Sequence, residues 1–329
     1  MKRVAILDDY QGTVPALPYW KKLDGRVAID VFRDTLFAED DLVERLKPYE
    51  ILVPIRERTR FTASLLNRLP ALEMLALTGR NSGHVDVPAA TARGVLITET
   101  SGSAAAAIEL TMGLIVAIVR RIPQEHHAMR EGRWQMSLGI ELAGKTLGVL
   151  GLGRIGGRIA AFGQFLGMNV VAWGPTLTDE RAAKANVTRL SLDDVLRQSD
   201  VVSVNLRLSD KTRGLVGARQ LALMKPTAYL VNTARGPIVD EAALVAALRE
   251  RRIAGAALDV YDVEPLPASH PLLALDNVVL TPHSGYVTHE AYRIFFEHVV
   301  ANIDTYLNGA VPERTLNPDA LANRHRPEA

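Results

Sequence analysis

Short hydrophobic runs alternate along most of the chain with longer segments that have a helical period. Five runs lie in the first hundred residues and six lie between residues 146 and 280. They cover residues 3–7, 26–32, 50–54, 73–77 and 95–97, then 146–150, 169–173, 201–204, 228–231, 256–258 and 278–280. Runs of this length, bounded by turn residues and separated by helical segments, are typical of parallel strands joined by helices. The pattern therefore predicts an α/β protein with parallel sheets.

The runs form two series, which indicates two domains. A chain of 329 residues is also long for a single core. The junction Ser101-Gly102-Ser103 precedes a long apolar helix that we predict to end near Arg120, and a last helix is predicted from about Thr288 to Leu307. We predict one domain over residues 102–286, inserted in a second domain that is formed by residues 1–101 and 287–329. Each domain is expected to be a doubly wound parallel sheet.

Composition narrows the possible functions. The formal net charge is +1, which gives no indication of a nucleic-acid partner. Cysteine is absent, so thiol catalysis and thiolate metal sites are excluded.

The longest apolar stretch, residues 104–119, contains Glu109 and is shorter than the about 20 residues of a membrane-spanning helix. We therefore expect no membrane association and a cytoplasmic location. His126 and His127 are adjacent rather than four residues apart, and we expect no metal.

A glycine-rich loop directly follows the first predicted strand of the second series. It contains Gly151, Gly153 and Gly156, with Arg154 and Ile155 between the last two glycines, and it opens a predicted helix. In this strand-to-helix context the first glycine permits a tight turn. The second lets a pyrophosphate approach the backbone, and the third lets the helix pack on the strand. The backbone N–H groups of Arg154 and Ile155 would bind the phosphates. The loop therefore predicts a dinucleotide site.

The next strand leaves the choice between NAD and NADP open. It ends in Ala172-Trp173-Gly174-Pro175-Thr176 and has no acid to bind a ribose 2′-hydroxyl. Asp179 and Glu180 come later, as first-turn residues of a helix predicted to be capped by Thr178. No arginine is identified where a 2′-phosphate would need one, so the sequence does not establish NADP either. Gly174 and Pro175 are expected to border the cofactor.

Three later strands are each followed by a polar segment. The segments are Val231-Asn232-Thr233-Ala234-Arg235-Gly236, Leu258-Asp259-Val260-Tyr261-Asp262-Val263-Glu264-Pro265 and Thr281-Pro282-His283-Ser284-Gly285. Residues beyond the carboxyl ends of parallel strands face the ligand crevice. Together with the glycine loop, the arginine, Glu-Pro and Pro-His segments resemble, in order and spacing, the D-isomer-specific 2-hydroxyacid dehydrogenase family. This resemblance spans nearly the whole chain. The family includes phosphoglycerate dehydrogenase and glyoxylate/hydroxypyruvate reductase.

The resemblance implies a fold, a reaction and a set of catalytic residues. The fold is a Rossmann NAD(P)-binding domain inserted in a flavodoxin-like substrate domain. The reaction is hydride transfer between NAD(P)(H) and C2 of a small D-2-hydroxy acid or 2-keto acid. The implied catalytic residues are Arg235, Glu264 and His283, and their chemistry suits those roles. A histidine exchanges the hydroxyl proton near neutral pH, a carboxylate orients it, and a guanidinium binds the substrate carboxylate. Thr233, Asp259 and Gly285 are implied to lie beside the cofactor.

The family also implies a substrate loop in the first domain. The matching segment contains Arg80, Asn81 and Ser82, with Asn81 at the position of a more usual glycine. Asparagine tolerates left-handed backbone angles, so the turn is expected to persist. Arg80, with a nearby cluster at Arg56, Arg58 and Arg60, indicates either a second anionic group on the substrate or a solvated basic loop. Arg235 is expected to complete the substrate site.

Two other functions are compatible with the same sequence. One is a dinucleotide-sensing scaffold like the corepressor members of this fold, which keep the catalytic residues. The other is a formate dehydrogenase-like enzyme, although that branch has glutamine in place of Glu264.

The apolar helix from about Ser103 to Arg120, with the stretch to Gly144, is a candidate dimer surface. A homodimer is therefore expected.

Overall fold

The computed structural model describes residues 1–80 and 82–323. The chain divides into two compact units. The first consists of Met1–Ser103 and the chain from Thr288 onward, and the second is Ala104–Val287. Among the described residues, no helix is both long and apolar enough to cross a membrane.

The first unit is built on a five-stranded parallel sheet with the strand order β2-β1-β3-β4-β5. Its strands are β1 (Lys2–Leu7), β2 (Val27–Val31), β3 (Ile51–Pro54), β4 (Met74–Ala76) and β5 (Leu96–Thr98). Its helices are α1 (Glu39–Leu46), α2 (Ala63–Asn67), α3 (Val87–Ala92) and α11 (His289–Leu307). Polar residues set where the helices begin. The Asp86 side chain accepts a hydrogen bond from the Ala89 N–H at α3, and Thr288 does the same for the Ala291 N–H at α11.

The second unit is built on a seven-stranded parallel sheet with the order β12-β11-β10-β9-β6-β7-β8. Its strands are β6 (Thr146–Leu150), β7 (Asn169–Trp173), β8 (Thr188–Arg189), β9 (Val201–Val204), β10 (Tyr229–Asn232), β11 (Gly255–Leu258) and β12 (Val278–Leu280). Its helices are α4 (Ala104–Val119), α5 (Ile122–Arg130), α6 (Arg154–Phe165), α7 (Asp179–Lys184), α8 (Leu192–Gln198), α9 (Ala218–Leu221) and α10 (Glu241–Arg249).

The two parallel sheets confirm the predicted fold class. Each of the eleven hydrophobic runs overlaps a strand, and the long helices α4 and α11 begin and end within a residue of the predicted bounds. The prediction missed β8, which is two residues long with both residues exposed. A short, exposed edge strand has no hydrophobic run to reveal it.

The register of the second sheet gathers the ends of its strands at one edge. Leu258 is paired with Asn232 on β10 and with Leu280 on β12. On the other side of the sheet, Leu150 is paired with Trp173 on β7 and with Val204 on β9. The segments after β6, β7, β10, β11 and β12 therefore begin along one edge, where ligands of open α/β sheets bind.

Candidate active site

Each glycine of the loop after β6 meets a different steric constraint. Gly151 has a φ of +100°, and a Cβ built there would lie 2.9 Å from the Asn205 carbonyl oxygen. A Cβ on Gly156 would lie 2.0 Å from the Gly151 carbonyl oxygen, so this glycine allows α6 to pack closely on the loop. A Cβ on Gly153 would meet nothing within 4 Å. Gly153 therefore faces open space, as a backbone approached by a pyrophosphate should.

The first turn of α6 supplies backbone donors beside this open space. The helix begins at Arg154, and its N-cap residue, Gly153, has no side chain to accept a hydrogen bond. The N–H groups at the start of a helix have no partner within the helix. The exposed backbone at Gly153 and these donors fit a pyrophosphate, which the N–H groups of Arg154 and Ile155 would bind.

The end of β7 is joined to the glycine loop. The Gly151 N–H donates to the Trp173 carbonyl oxygen at 2.7 Å, and a Cβ on Gly174 would lie 3.8 Å from the Gly151 Cα atom. Arg181, on α7, donates at 3.0 Å to the Thr176 carbonyl oxygen. Pro175, between Gly174 and Thr176 in the sequence, is exposed. The sequence alone does not reveal this contact, because Arg181 lies in the first turn of α7 and its side chain points back to the turn after β7.

His283 and Glu264 form a hydrogen-bonded pair. His283 Nδ1 lies 2.5 Å from Glu264 Oε2, and both side chains are largely buried. The other carboxylate oxygen, Oε1, accepts from the Tyr261 N–H at 3.0 Å. The ring of Tyr286 lies edge-on to the imidazole, with 5.6 Å between centroids. The imidazole is therefore held by a carboxylate and an aromatic ring, and the carboxylate is itself held by the backbone.

Asp259 fastens the segment that carries His283. Its buried carboxylate accepts hydrogen bonds from the Thr281 hydroxyl at 2.6 Å, the Ser284 N–H at 2.7 Å and the Gly285 N–H at 2.9 Å. Burial raises the pKa of Asp259, and these hydrogen bonds oppose that rise. The bonds bracket His283, which has a φ of +52°. The segment is therefore held on both sides of the histidine.

A second histidine–glutamate pair supports the segment that carries Glu264. His270 Nε2 lies 3.0 Å from Glu241 Oε1, and Glu241 Oε2 accepts from the Asp262 N–H at 3.2 Å. No motif in the sequence marks this pair. Its signal was limited to an ordinary glutamate at the start of a predicted helix and a histidine before a proline.

Arg235 and Thr233 follow β10. Arg235 donates from Nη1 to the Ala234 carbonyl oxygen at 2.7 Å. The next residue, Gly236, has room only for hydrogen, because a Cβ there would lie 2.1 Å from the Tyr261 carbonyl carbon. The arginine segment therefore packs directly on the segment that leads to Glu264. The Thr233 hydroxyl lies 2.7 Å from that of Thr111 on α4.

The predicted substrate loop belongs to the first unit. Arg80 is exposed and Ser82 is half-buried, whereas Asn81 lies outside the described residues. Gly79, which precedes them, has a φ of +93° and donates from its N–H to the Thr100 hydroxyl at 2.6 Å. Arg56 is tied to this turn through the Thr78 carbonyl oxygen at 3.0 Å. The turn thus contains one glycine in the left-handed region of backbone conformation.

Comparison with known proteins places the chain in a family. Residues 112–285 match the model of the D-isomer specific 2-hydroxyacid dehydrogenase, NAD binding domain. A glyoxylate reductase of Aeropyrum pernix is 41% identical over 275 residues, which cover 80% of this chain and 82% of that protein. A D-3-phosphoglycerate dehydrogenase of Methanocaldococcus jannaschii is 37% identical over 86% of this chain, which spans 54% of that longer protein.

A solved structure agrees along most of the chain. The crystal structure of a phosphoglycerate oxidoreductase from Vibrio cholerae superimposes with a TM-score of 0.90 at 40% identity. The alignment covers 94% of this chain and all of the other. The family match includes the glycine loop and the segments that carry Arg235, Glu264 and His283. The chain belongs to the D-isomer-specific 2-hydroxyacid dehydrogenase family.

Proposed function

We propose that the protein is an NAD(P)-dependent dehydrogenase that transfers a hydride between nicotinamide and C2 of a small D-2-hydroxy acid or 2-keto acid. The observation that carries this proposal is the pair of His283 and Glu264, 2.5 Å apart, at the sheet edge that also carries the dinucleotide loop. A general acid–base beside a nicotinamide site is what oxidation of an alcohol requires.

His283 would exchange the proton of the reacting oxygen. Its Nδ1 faces a carboxylate oxygen and therefore carries a hydrogen, which leaves Nε2 to act on the substrate. In reduction, Nε2 donates a proton to the keto oxygen while C2 gains the hydride. In oxidation, Nε2 accepts the hydroxyl proton. A nicotinamide held in the site would supply or receive the hydride. Glu264 stabilises the protonated imidazole and fixes its orientation.

Arg235 would bind the substrate carboxylate. A guanidinium presents two parallel N–H donors to a carboxylate, so it fixes the position of the neighbouring C2 atom. The family resemblance adds Arg80, Asn81 and Ser82 as substrate ligands from the first unit. Thr233, Asp259, Gly285, Gly174 and Pro175 would border the cofactor, with Gly151, Gly153 and Gly156 under its pyrophosphate.

The two alternatives have less support. A formate dehydrogenase-like enzyme is disfavoured by Glu264, since that branch has glutamine there. The relatives in the comparison are named as reductases and dehydrogenases, which also favours catalysis.

A panel of 2-keto acids would test the proposal. Oxidation of NADH and of NADPH would be followed with glyoxylate, hydroxypyruvate, phosphohydroxypyruvate and oxaloacetate. Turnover with at least one acid supports the proposed reaction. Faster turnover of the doubly anionic acids would support Arg80 as a ligand of a distal group. No turnover with any member, from a protein that binds the dinucleotide, would favour the scaffold alternative.

We further propose that the protein is a homodimer. Large apolar side chains are exposed in and just after α5, and the most exposed are Trp134 at 71% and Leu138 at 95%. Ile122, Met129 and Met136 are at least half exposed in the same segment. Such a concentration favours a surface that a second copy covers. The cytoplasmic location stays a prediction.

A further inference from the structure

We propose that the turn after β7 is a subsite for the 2′-phosphate of NADP, with Arg181 as the residue that determines cofactor specificity. The inference rests on the proposed dinucleotide role of the glycine loop. The sequence leaves the choice between NAD and NADP open, and this subsite would select NADP.

Arg181 lies where the ribose of the adenosine half would bind. Its guanidinium donates at 3.0 Å to the Thr176 carbonyl oxygen, just after β7, and at 3.2 Å to the Leu152 carbonyl oxygen, inside the glycine loop. In dinucleotide-binding folds, the group that recognises the ribose 2′ position stands at the end of this second strand. The guanidinium therefore bridges the two segments that flank the ribose.

The two hydrogen bonds orient Arg181 without neutralising it. They use two of the five N–H donors of a guanidinium, and both acceptors are uncharged carbonyl oxygens. The residue is exposed, so a ligand can reach it. Arg154, at the start of α6, is also exposed and adds positive charge to the same loop. A prepositioned guanidinium with remaining donors suits a phosphate monoester.

The nearby acids are paired with other bases. Asp179 forms an ion pair with Arg189 at 3.1 Å, and Glu180 forms one with Lys184 at 2.7 Å. At the position that follows β7, where an acid would accept from a ribose 2′-hydroxyl, the chain has Gly174. The turn thus combines an oriented cation with a glycine. This combination favours a 2′-phosphate over a 2′-hydroxyl.

Binding of cofactor fragments tests the subsite without relying on turnover. Adenosine 2′,5′-bisphosphate and adenosine 5′-monophosphate would be titrated by calorimetry into the full-length protein. The subsite predicts that the bisphosphate binds about ten- to a hundredfold more tightly, which is the range of a charge-assisted hydrogen bond to phosphate. In Arg181→Gln this preference should disappear while the affinity for the monophosphate is unchanged. Arg219→Gln is the matched control, because it removes an exposed arginine that pairs with Asp193 on α8.

Gly174→Asp gives an independent test that leaves Arg181 in place. An ideal Cβ at Gly174 would make ordinary contacts at 3.6 and 3.8 Å, so a side chain can be accommodated. The new carboxylate should repel the 2′-phosphate, accept from a 2′-hydroxyl and reverse the fragment preference.

Four outcomes would overturn the inference. For the wild type, they are equal affinity for the two fragments and no detectable binding of either fragment. For Arg181→Gln, it is a loss of affinity in the same proportion for both fragments. For Gly174→Asp, it is an unchanged preference for the bisphosphate. Turnover of keto acids with NADH in any of these cases would leave the proposed reaction intact.

Discussion

The Nδ1 atom of His283 lies 2.5 Å from the Oε2 atom of Glu264, although 19 residues separate them in the chain. The contact exists because β11 and β12 are adjacent and parallel, so that the segments following them begin at the same edge. A carboxylate at this distance fixes which imidazole nitrogen carries the hydrogen.

Removing either partner should impair turnover while leaving dinucleotide binding almost unchanged. His283→Ala should lower kcat by about a hundred- to ten-thousandfold, the usual contribution of general acid–base catalysis. Glu264→Gln should lower kcat less, because an amide holds the ring but carries no charge to stabilise imidazolium. Steady-state kinetics and a fluorescence titration of the reduced cofactor measure the two quantities. Full activity of His283→Ala would contradict the assignment.

Arg235→Lys should retain the charge and lose the paired donors that match a carboxylate. We expect kcat/KM for the keto acid to fall by about tenfold or more, the scale of one charge-assisted hydrogen bond. The affinity for the dinucleotide should stay the same. Arg213→Lys, which changes an exposed arginine of the same unit, serves as the control. Equal kcat/KM values for Arg235→Lys and the wild type would remove Arg235 from the substrate site.

Alanine at two glycines of the phosphate loop should have opposite consequences. Gly156→Ala places a methyl group 2.0 Å from the Gly151 carbonyl oxygen. It should lower the free energy of unfolding by about 1–3 kcal/mol, as overpacking does. Gly153→Ala meets no protein atom within 4 Å and should unfold like the wild type. It should bind the dinucleotide more weakly, because the methyl group occupies the path of the pyrophosphate. Thermal unfolding without ligand and a dinucleotide titration separate the two effects.

Leu138→Asp should dissociate the proposed dimer, because a carboxylate on an apolar contact surface must be desolvated when a second copy binds. Sedimentation of the variant at micromolar concentration should give a monomer, whereas the wild type gives a dimer. Leu273→Asp is the matched control, since Leu273 is 53% exposed in the same unit but outside the segment after α5. A wild-type monomer, or a dimer that survives Leu138→Asp, would contradict the proposed interface.

The sequence predicted the fold well because hydrophobic side chains define both sheets. Fully buried strands such as Ile51–Pro54 and Val201–Val204 give continuous apolar runs. Parallel sheets covered on both faces require such runs. The edge strand Thr188–Arg189 was missed because both of its residues are exposed.

Residues of the candidate site could be predicted only where they belong to a recognisable sequence motif. Glu264 and His283 were identified through the resemblance, and the structure places them in contact. The supporting pair of His270 and Glu241, 3.0 Å apart, has no sequence motif. Arg181 was missed for a geometric reason. It lies eight residues after β7 ends at Trp173, yet its side chain points back along the helix to the Thr176 carbonyl oxygen.

The position of a transferred deuterium tests the central claim most directly. Hydroxypyruvate would be reduced with cofactor that carries deuterium at both C4 positions of the reduced nicotinamide, and the product would be analysed by mass spectrometry and chiral chromatography. The proposed reaction predicts D-glycerate with one deuterium on C2, formed about a hundred- to ten-thousandfold more slowly by His283→Ala. L-glycerate, or glycerate without deuterium on C2, would contradict the proposed hydride transfer.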